Sequence, residues 1–134
     1  LGDDLAVVVR DADGGYRAHP LPTWSAFESG GNGWPCRANR SVSLRAFFFL
    51  QQVPDNGVEP VAGAKTALVI EKACKEALLP FDFFSPGQDP FLGRNIFANA
   101  VSLAAAVPAF RLRVSLEGRF WEKMDKVLGG VARA

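Results

Sequence analysis

The sequence predicts a mixed α/β fold, in which helices pack on a sheet. Short runs of β-branched and aromatic residues, bounded by turn residues, alternate with longer stretches of helical periodicity. The chain has 134 residues, 49% of them hydrophobic and 22% charged, which is usual for a globular protein that buries a core. We therefore expect one soluble domain spanning residues 1–134.

The first elements are a hairpin and a long loop. Leu5–Val9 is a β-branched run, and Asp11–Gly15 supplies the residues of a tight turn. Tyr16–Leu21 then returns as the second strand. Thr23–Arg40 is rich in Gly, Ser, Asn and Trp without a clear period, and it predicts a long surface loop.

The middle of the chain contains the strongest strand and the first helix. Val42–Leu50 ends in a continuous apolar run, which predicts a central strand covered on both faces. Pro54–Gly57 ends this strand, and Ala64–Leu79 has the periodicity of an amphipathic helix. The expected buried face of that helix consists of Leu68, Val69, Ala73, Ala77 and Leu78.

Three elements complete the chain. Phe91–Val107 is almost entirely apolar and predicts a buried helix. Phe110–Leu116 alternates apolar residues with arginine and serine, which is typical of a strand with one exposed face. Arg119–Leu128 predicts a final helix, capped by Gly129–Gly130.

Charge and composition exclude two classes of partner. The formal net charge is +1, so nothing indicates a nucleic-acid partner. No apolar run approaches the about 20 residues that cross a bilayer, so we expect no membrane partner. Cys36 and Cys74 match no zinc or redox spacing, which predicts free thiols in a cytoplasmic protein, with a disulfide between them left open.

Two adjacent carboxylates stand immediately before the first strand. Asp3 and Asp4 could hold Mg²⁺ and accept a proton from an attacking hydroxyl group. The alternative is a charged pair at a frayed terminus, which is the commoner role of such residues.

A second polar cluster lies around the start of the strongest strand. Its members follow Trp34 and are Arg37, Asn39, Arg40 and Arg45. Guanidinium groups suit a phosphate or carboxylate ligand, so this cluster could clamp an anion. A solvated basic loop is the alternative, and it is favoured on sequence alone.

Two further segments carry weaker signals. Gly63–Thr66 resembles a phosphate loop only superficially, because Ala64 stands where such a loop requires glycine directly before lysine. We expect this segment to begin a helix. His19 has no Ser or Cys partner nearby, and we interpret it as a structural or surface histidine.

Several stretches together resemble one family. Gly2–Val8 resembles the acidic strand segment that follows the phosphate loop in HPr kinase/phosphorylase-like proteins. Pro22–Trp24 and Asn39–Leu50 look like the middle of compact HPr-kinase-related proteins found beside peptide-modification genes. Val107–Arg113 and Phe120–Trp121 are similar to the ending of those proteins.

This resemblance implies a fold and a reaction. The fold would be phosphoenolpyruvate-carboxykinase-like, and the complete protein would transfer phosphate from ATP, with Mg²⁺, to a serine of a protein or peptide. Asp3 or Asp4 would be the general base, with the other aspartate near Mg²⁺. Arginines of the second cluster would face the phosphates.

The family's phosphate loop would precede the two aspartates, where only Leu1 and Gly2 stand. We therefore expect the C-terminal part of a longer kinase-like chain, which alone binds ATP poorly and is inactive. The alternative is a non-catalytic binding or accessory module in a peptide-modification (natural-product) pathway, with the loop Ser29–Gly33 contacting a partner. A self-associated homodimer would cover exposed strand edges.

Overall fold

The architecture is α/β. The computed structural model describes residues 5–20, 41–78, 90–116 and 118–131. The elements are β1 (Ala6–Arg10), β2 (Tyr16–Pro20), β3 (Val42–Ser43), β4 (Phe47–Gln52), β5 (Gly57–Pro60), α1 (Gly63–Leu78), α2 (Pro90–Ala106), β6 (Ala109–Val114) and α3 (Phe120–Val131). The predicted α/β class is confirmed, whereas the phosphoenolpyruvate-carboxykinase-like fold and the single domain remain predictions.

The chain divides into two compact units, and the first, Leu1–Leu44, contains an antiparallel sheet. Its strand order is β1-β2-β3. The predicted hairpin is present, with Arg10 paired with Tyr16 across the turn. Gly14 has a φ of 87° in this turn, and its N–H donates a 3.0 Å hydrogen bond to the carbonyl of Asp11. Glycine adopts that backbone conformation without the steric cost that a Cβ adds.

The second unit, Arg45–Ala134, contains a mixed sheet of strand order β4-β6-β5. Strand β6 is central, since it pairs in parallel with β4 and antiparallel with β5. Leu112 on β6 is fully buried, whereas Leu50 on β4 is 74% exposed. The prediction of one continuous central strand over Val42–Leu50 is therefore wrong: β3 and β4 belong to different sheets, and β4 lies at an edge of the described strands.

Helices α1 and α2 provide most of the buried core of the second unit. The buried apolar residues are Ala67, Ile70, Ala100, Leu103, Val107, Ala109 and Leu112. One polar residue, Thr66, is buried with them, and its Oγ1 donates a 3.2 Å hydrogen bond to the carbonyl of Ala62 one turn earlier. That bond satisfies the hydroxyl group, so the burial leaves no polar atom of Thr66 unpaired.

The buried sides of these helices differ from the expected ones. On α1 the buried residues are Thr66, Ala67 and Ile70, whereas Leu68 is 58% exposed and Val69 is 37% exposed. The expected buried face was therefore wrong: Leu68, Val69 and Ala73 are exposed, and Ala77 and Leu78 are only half-buried. Helix α2 was expected to be buried, yet several of its large apolar side chains reach solvent. The physical reason is that each helix has apolar residues on more sides than its neighbours cover.

Strand β5 and helix α3 complete the second unit. Strand β5 was missed, because its segment begins at a turn-type glycine and ends in proline. Helix α3 was expected to end at Gly129–Gly130, but it continues through both glycines to Val131, so the expected cap was wrong. Between β6 and α3, the backbone N–H of Ser115 donates a 2.8 Å hydrogen bond to Oδ1 of Asn56.

Candidate functional site

An open groove of about 500 Å³ runs between α1 and α2. In the described part of the chain, every residue that lines it is glycine, alanine or a larger apolar residue. Three side chains give the groove its large apolar surface: Leu68 of α1, and Phe97 and Val101 of α2. They are 58%, 44% and 45% exposed, respectively, although each could form part of a core.

Small residues bring the two helices close together on one side of the groove. A Cβ added to Gly63 would stand 3.7 Å from the carbonyl oxygen of Ala104. Gly63 begins α1, and Ala104 lies near the end of α2, so the helices run antiparallel. The larger side chains of Leu68 and Phe97 line the same groove.

The helices around the groove carry excess positive charge. Their charged side chains are Lys65, Glu71, Lys72, Lys75 and Glu76 on α1 and Arg94 on α2. Four cations against two anions leave an excess of two positive charges over the same two helices. The Lys75 Nζ to Glu71 Oε1 distance is 2.6 Å, and the Lys72 Nζ to Glu76 Oε1 distance is 3.7 Å.

Two of these cations, Lys65 and Arg94, have no partner among the residues that the structure describes. Within the described residues, neither Lys65 nor Arg94 makes an ion pair or a hydrogen bond, and both are exposed. Helical spacing places Arg94 one turn before Phe97 on the groove side of α2. Lys72 stands one turn after Leu68 on α1, so it lies towards the same end of the groove as Arg94.

The site residues expected from sequence fall largely outside the described ranges. These residues are Asp3, Asp4, Arg37, Asn39 and Arg40, together with the loop Ser29–Gly33. Their roles in binding Mg²⁺, phosphate or a partner remain predictions. No group of three or more His, Cys, Asp or Glu side chains that could hold a metal ion occurs among residues 5–20, 41–78, 90–116 and 118–131.

Three residues discussed in the sequence analysis, Arg45, Gly63 and His19, lie within the described ranges. Arg45 is exposed, and its Nη2 donates a 3.3 Å hydrogen bond to the carbonyl of Leu128 near the end of α3. Gly63 begins α1, which confirms that the Gly63–Thr66 segment starts a helix. His19 lies in strand β2, opposite Val7.

The groove itself was missed from the sequence. Four consecutive apolar residues of α1, Ala67–Ile70, point in all directions around the helix, and one buried face cannot take them all. Helix α2 is apolar on nearly every side. The signal in the sequence was that these two helices carry more apolar residues than their neighbours can cover. Such an excess leaves apolar surface open to a partner.

The described part of the chain is thus an α/β protein with an open apolar groove between two antiparallel helices. None of its helices is long and apolar enough to span a membrane. Comparison with protein families identifies the chain more closely: residues 1–129 match SynChlorMet cassette protein ScmC, and the chain belongs to that family. No curated protein and no solved structure matches it significantly.

This family membership corrects one expectation. The resemblance to HPr kinase/phosphorylase-like proteins was wrong, because the match over residues 1–129 is to the ScmC family. The stretches that carried the resemblance are short, and each of them alone is a weak signal. The expectations of ATP and a serine acceptor rested on that resemblance. Mg²⁺ was expected also from the adjacent carboxylates of Asp3 and Asp4, which lie outside the described residues.

Proposed function

We propose that this chain is a non-catalytic binding protein that acts beside other products of its cassette. In this proposal it holds a segment of a protein or peptide in the groove between α1 and α2. The observation that supports this most is the exposure of Leu68, Phe97 and Val101 along one open apolar groove. Contiguous exposed apolar surface of this kind commonly marks a binding site.

The family description supports the choice of partner. A cassette protein is encoded with other genes, and the products of one cassette commonly act together. Proteins and peptides of the same cassette are therefore the first partners to test. A role in a peptide-modification pathway, expected from sequence, remains part of this proposal.

The experiment is a binding titration with each purified cassette partner. Leu68→Glu places a charge in the groove, whereas Leu116→Glu makes the same change at a residue that is 89% exposed and does not line it. We expect Leu68→Glu to weaken binding about tenfold or more, as for a central interface residue, and Leu116→Glu to leave it unchanged. Both sites are exposed, so both variants should fold.

Two outcomes would contradict the proposal. One is that no cassette protein or peptide binds the chain at micromolar concentration. The other is that Leu68→Glu binds as tightly as the unaltered chain, since the groove would then not be the site.

A separate titration distinguishes binding from phosphoryl transfer. A ligand that binds only the folded state raises the apparent stability, so even a weak nucleotide site shifts the unfolding temperature at millimolar Mg-ATP. We expect no shift with Mg-ATP. A shift that Asp3→Ala/Asp4→Ala abolishes would contradict a non-catalytic role.

A further inference from the structure

The lining of the groove restricts the backbone of any segment that occupies it. Apart from its own helical backbone, the described lining offers only apolar side chains, such as Ala67, Leu68 and Val101. An extended peptide there would leave backbone N–H and C=O groups without partners, which is costly once water is excluded. A helix satisfies those groups internally, so its apolar face can enter the groove without that penalty.

The dimensions of the groove suit the same occupant. Gly63, Ala64 and Ala105 line it with little or no side chain, so a third helix can approach α1 and α2 closely there. Leu68 and Phe97 are exposed in the same lining and can pack between side chains one turn apart on that helix. A volume of about 500 Å³ is within the range of natural ligand sites and holds a few apolar side chains.

The charges beside the groove restrict the sequence of the occupant. Lys65 lies three residues before Leu68, and Lys72 lies four residues after it. Arg94 lies three residues before Phe97, and α2 contains no acidic residue. Glu71 lies three residues after Leu68 and is paired with Lys75. Lys65 and Arg94 have no ion pair within the described ranges, so an excess of positive charge remains beside the groove. Carboxylates on a ligand would meet them, and lysines or arginines would be repelled.

We infer that the groove binds an amphipathic helix whose apolar anchors are flanked by Asp or Glu. This inference rests on the proposed function and adds the chemistry of the partner segment. A second copy of the chain fits less well, because two α1–α2 surfaces facing each other would each bring an excess of two positive charges. The occupant that we propose is a segment of a partner protein or peptide.

The test uses three synthetic peptides of about 16 residues, or four to five helical turns. The first has Leu at helical spacing and Glu beside each Leu. The second replaces every Glu with Lys. The third is identical to the first except for one central proline, which prevents a continuous helix. Binding of each labelled peptide to the full chain is measured by fluorescence anisotropy.

The acidic helical peptide should bind about tenfold more tightly than either of the others. Its affinity should fall as salt rises from about 50 mM to about 300 mM, because ions screen exposed charges. Arg94→Glu should weaken binding of the acidic peptide and strengthen binding of the basic one. Lys126→Glu makes the same charge change at an exposed residue of α3 that does not line the groove, and it should alter neither preference.

Three results would overturn the inference: equal or tighter binding of the basic peptide, equal binding of the proline peptide, or an Arg94→Glu variant with unchanged preference. The inference and the proposed function can be contradicted independently of each other. If a cassette partner binds through Leu68 but the acidic peptide does not bind, only the inference is wrong. If the acidic peptide binds and Leu68→Glu abolishes it, but no cassette partner binds, only the proposed function is wrong.

Discussion

Leu50 and Leu112 lie directly opposite each other in the parallel register of β4 and β6, yet Leu50 is 74% exposed and Leu112 is 0% exposed. Neighbouring strands thus place the same side chain, on the same face of one sheet, in opposite environments. The difference comes from the strand order, because β6 has a strand on each side, whereas β4 has β6 on one side. Among the described strands of the second unit, only β6 has a neighbour on both sides.

This pair gives a direct test of the strand order. Leu112→Ala should lower the free energy of unfolding by about 2–5 kcal/mol, since it removes buried methyl groups and leaves a cavity. Leu50→Ala should lower it by less than about 0.5 kcal/mol, as surface substitutions usually do. Urea denaturation of both variants measures the two values. Equal losses would contradict β4 as the edge strand.

A second prediction concerns Gly57 and Arg113, which are paired across β5 and β6. A Cβ at Gly57 would stand 2.6 Å from Nη2 and 2.8 Å from Nε of Arg113, so the guanidinium group lies against the glycine. That Nε is buried without a hydrogen-bond partner, and the Arg113 Nη2 to Glu59 Oε1 contact is 3.5 Å long and partly exposed. The Arg113 side chain therefore loses little interaction free energy when it moves away from Gly57.

We expect Gly57→Ala to stabilise the chain by about 0.5–1 kcal/mol. The new methyl group displaces the flexible end of Arg113 into solvent, which hydrates Nε, and alanine restricts the unfolded chain more than glycine does. The change is measured by urea denaturation, with Gly57→Ala in an Arg113→Ala background as the control. A destabilisation seen only when Arg113 is present would show that the arginine cannot move and would contradict the prediction.

A third prediction concerns Asn56, which accepts the hydrogen bond from the backbone N–H of Ser115 at 2.8 Å. Asn56→Ala removes the acceptor and leaves a partly buried N–H without a partner. We expect a loss of about 1–2 kcal/mol in the free energy of unfolding. Asn56→Asp retains an oxygen at the same position and should recover most of that loss above the range in which aspartate titrates. Equal losses for the two variants would indicate that packing, not the hydrogen bond, is the cause.

A fourth prediction concerns Cys74, a free cysteine on α1. Desolvation by burial raises the pKa of its thiol, because burial disfavours the charged thiolate. Only the thiolate is nucleophilic, so alkylation at a given pH should be slower in the folded chain than in urea. The rate is followed against pH in a Cys36→Ser variant, in which only Cys74 reacts. A folded-state rate profile that lies at lower pH than the unfolded one would contradict the prediction.

The sequence predicted the helices well, because their periodicity is local. Helix α1 was expected over Ala64–Leu79 and spans Gly63–Leu78, and α2 was expected over Phe91–Val107 and spans Pro90–Ala106. Strand order was not predictable in the same way. The apolar run Phe47–Leu50 looked central, whereas the arginine-containing β6 looked half exposed. The positions of these strands in the sheet depend on where the chain re-enters the sheet after α2. A short stretch of sequence does not contain that information.

The candidate site was harder to predict than the fold. The site residues predicted from the sequence, such as Asp3 and Arg37, are charged, because the chemistry of a charged group is visible in a single residue type. The groove consists of ordinary core-type residues, and Leu68 was assigned to the buried face of its helix. Only the packing of α1 against α2 distinguishes a core leucine from an exposed one, and that packing is a property of two segments.

The parallel pairing of β4 with β6 also bears on the order in which the second unit folds. Phe47 pairs with Ala109, so β5, α1 and α2 all lie within the loop that this pairing closes. Closing a long loop loses entropy before any contact returns free energy. We expect the contact between α1 and α2 to form early, β6 to join β5 next, and β4 to dock last. Local opening would then release β4 first and leave one side of β6 bare.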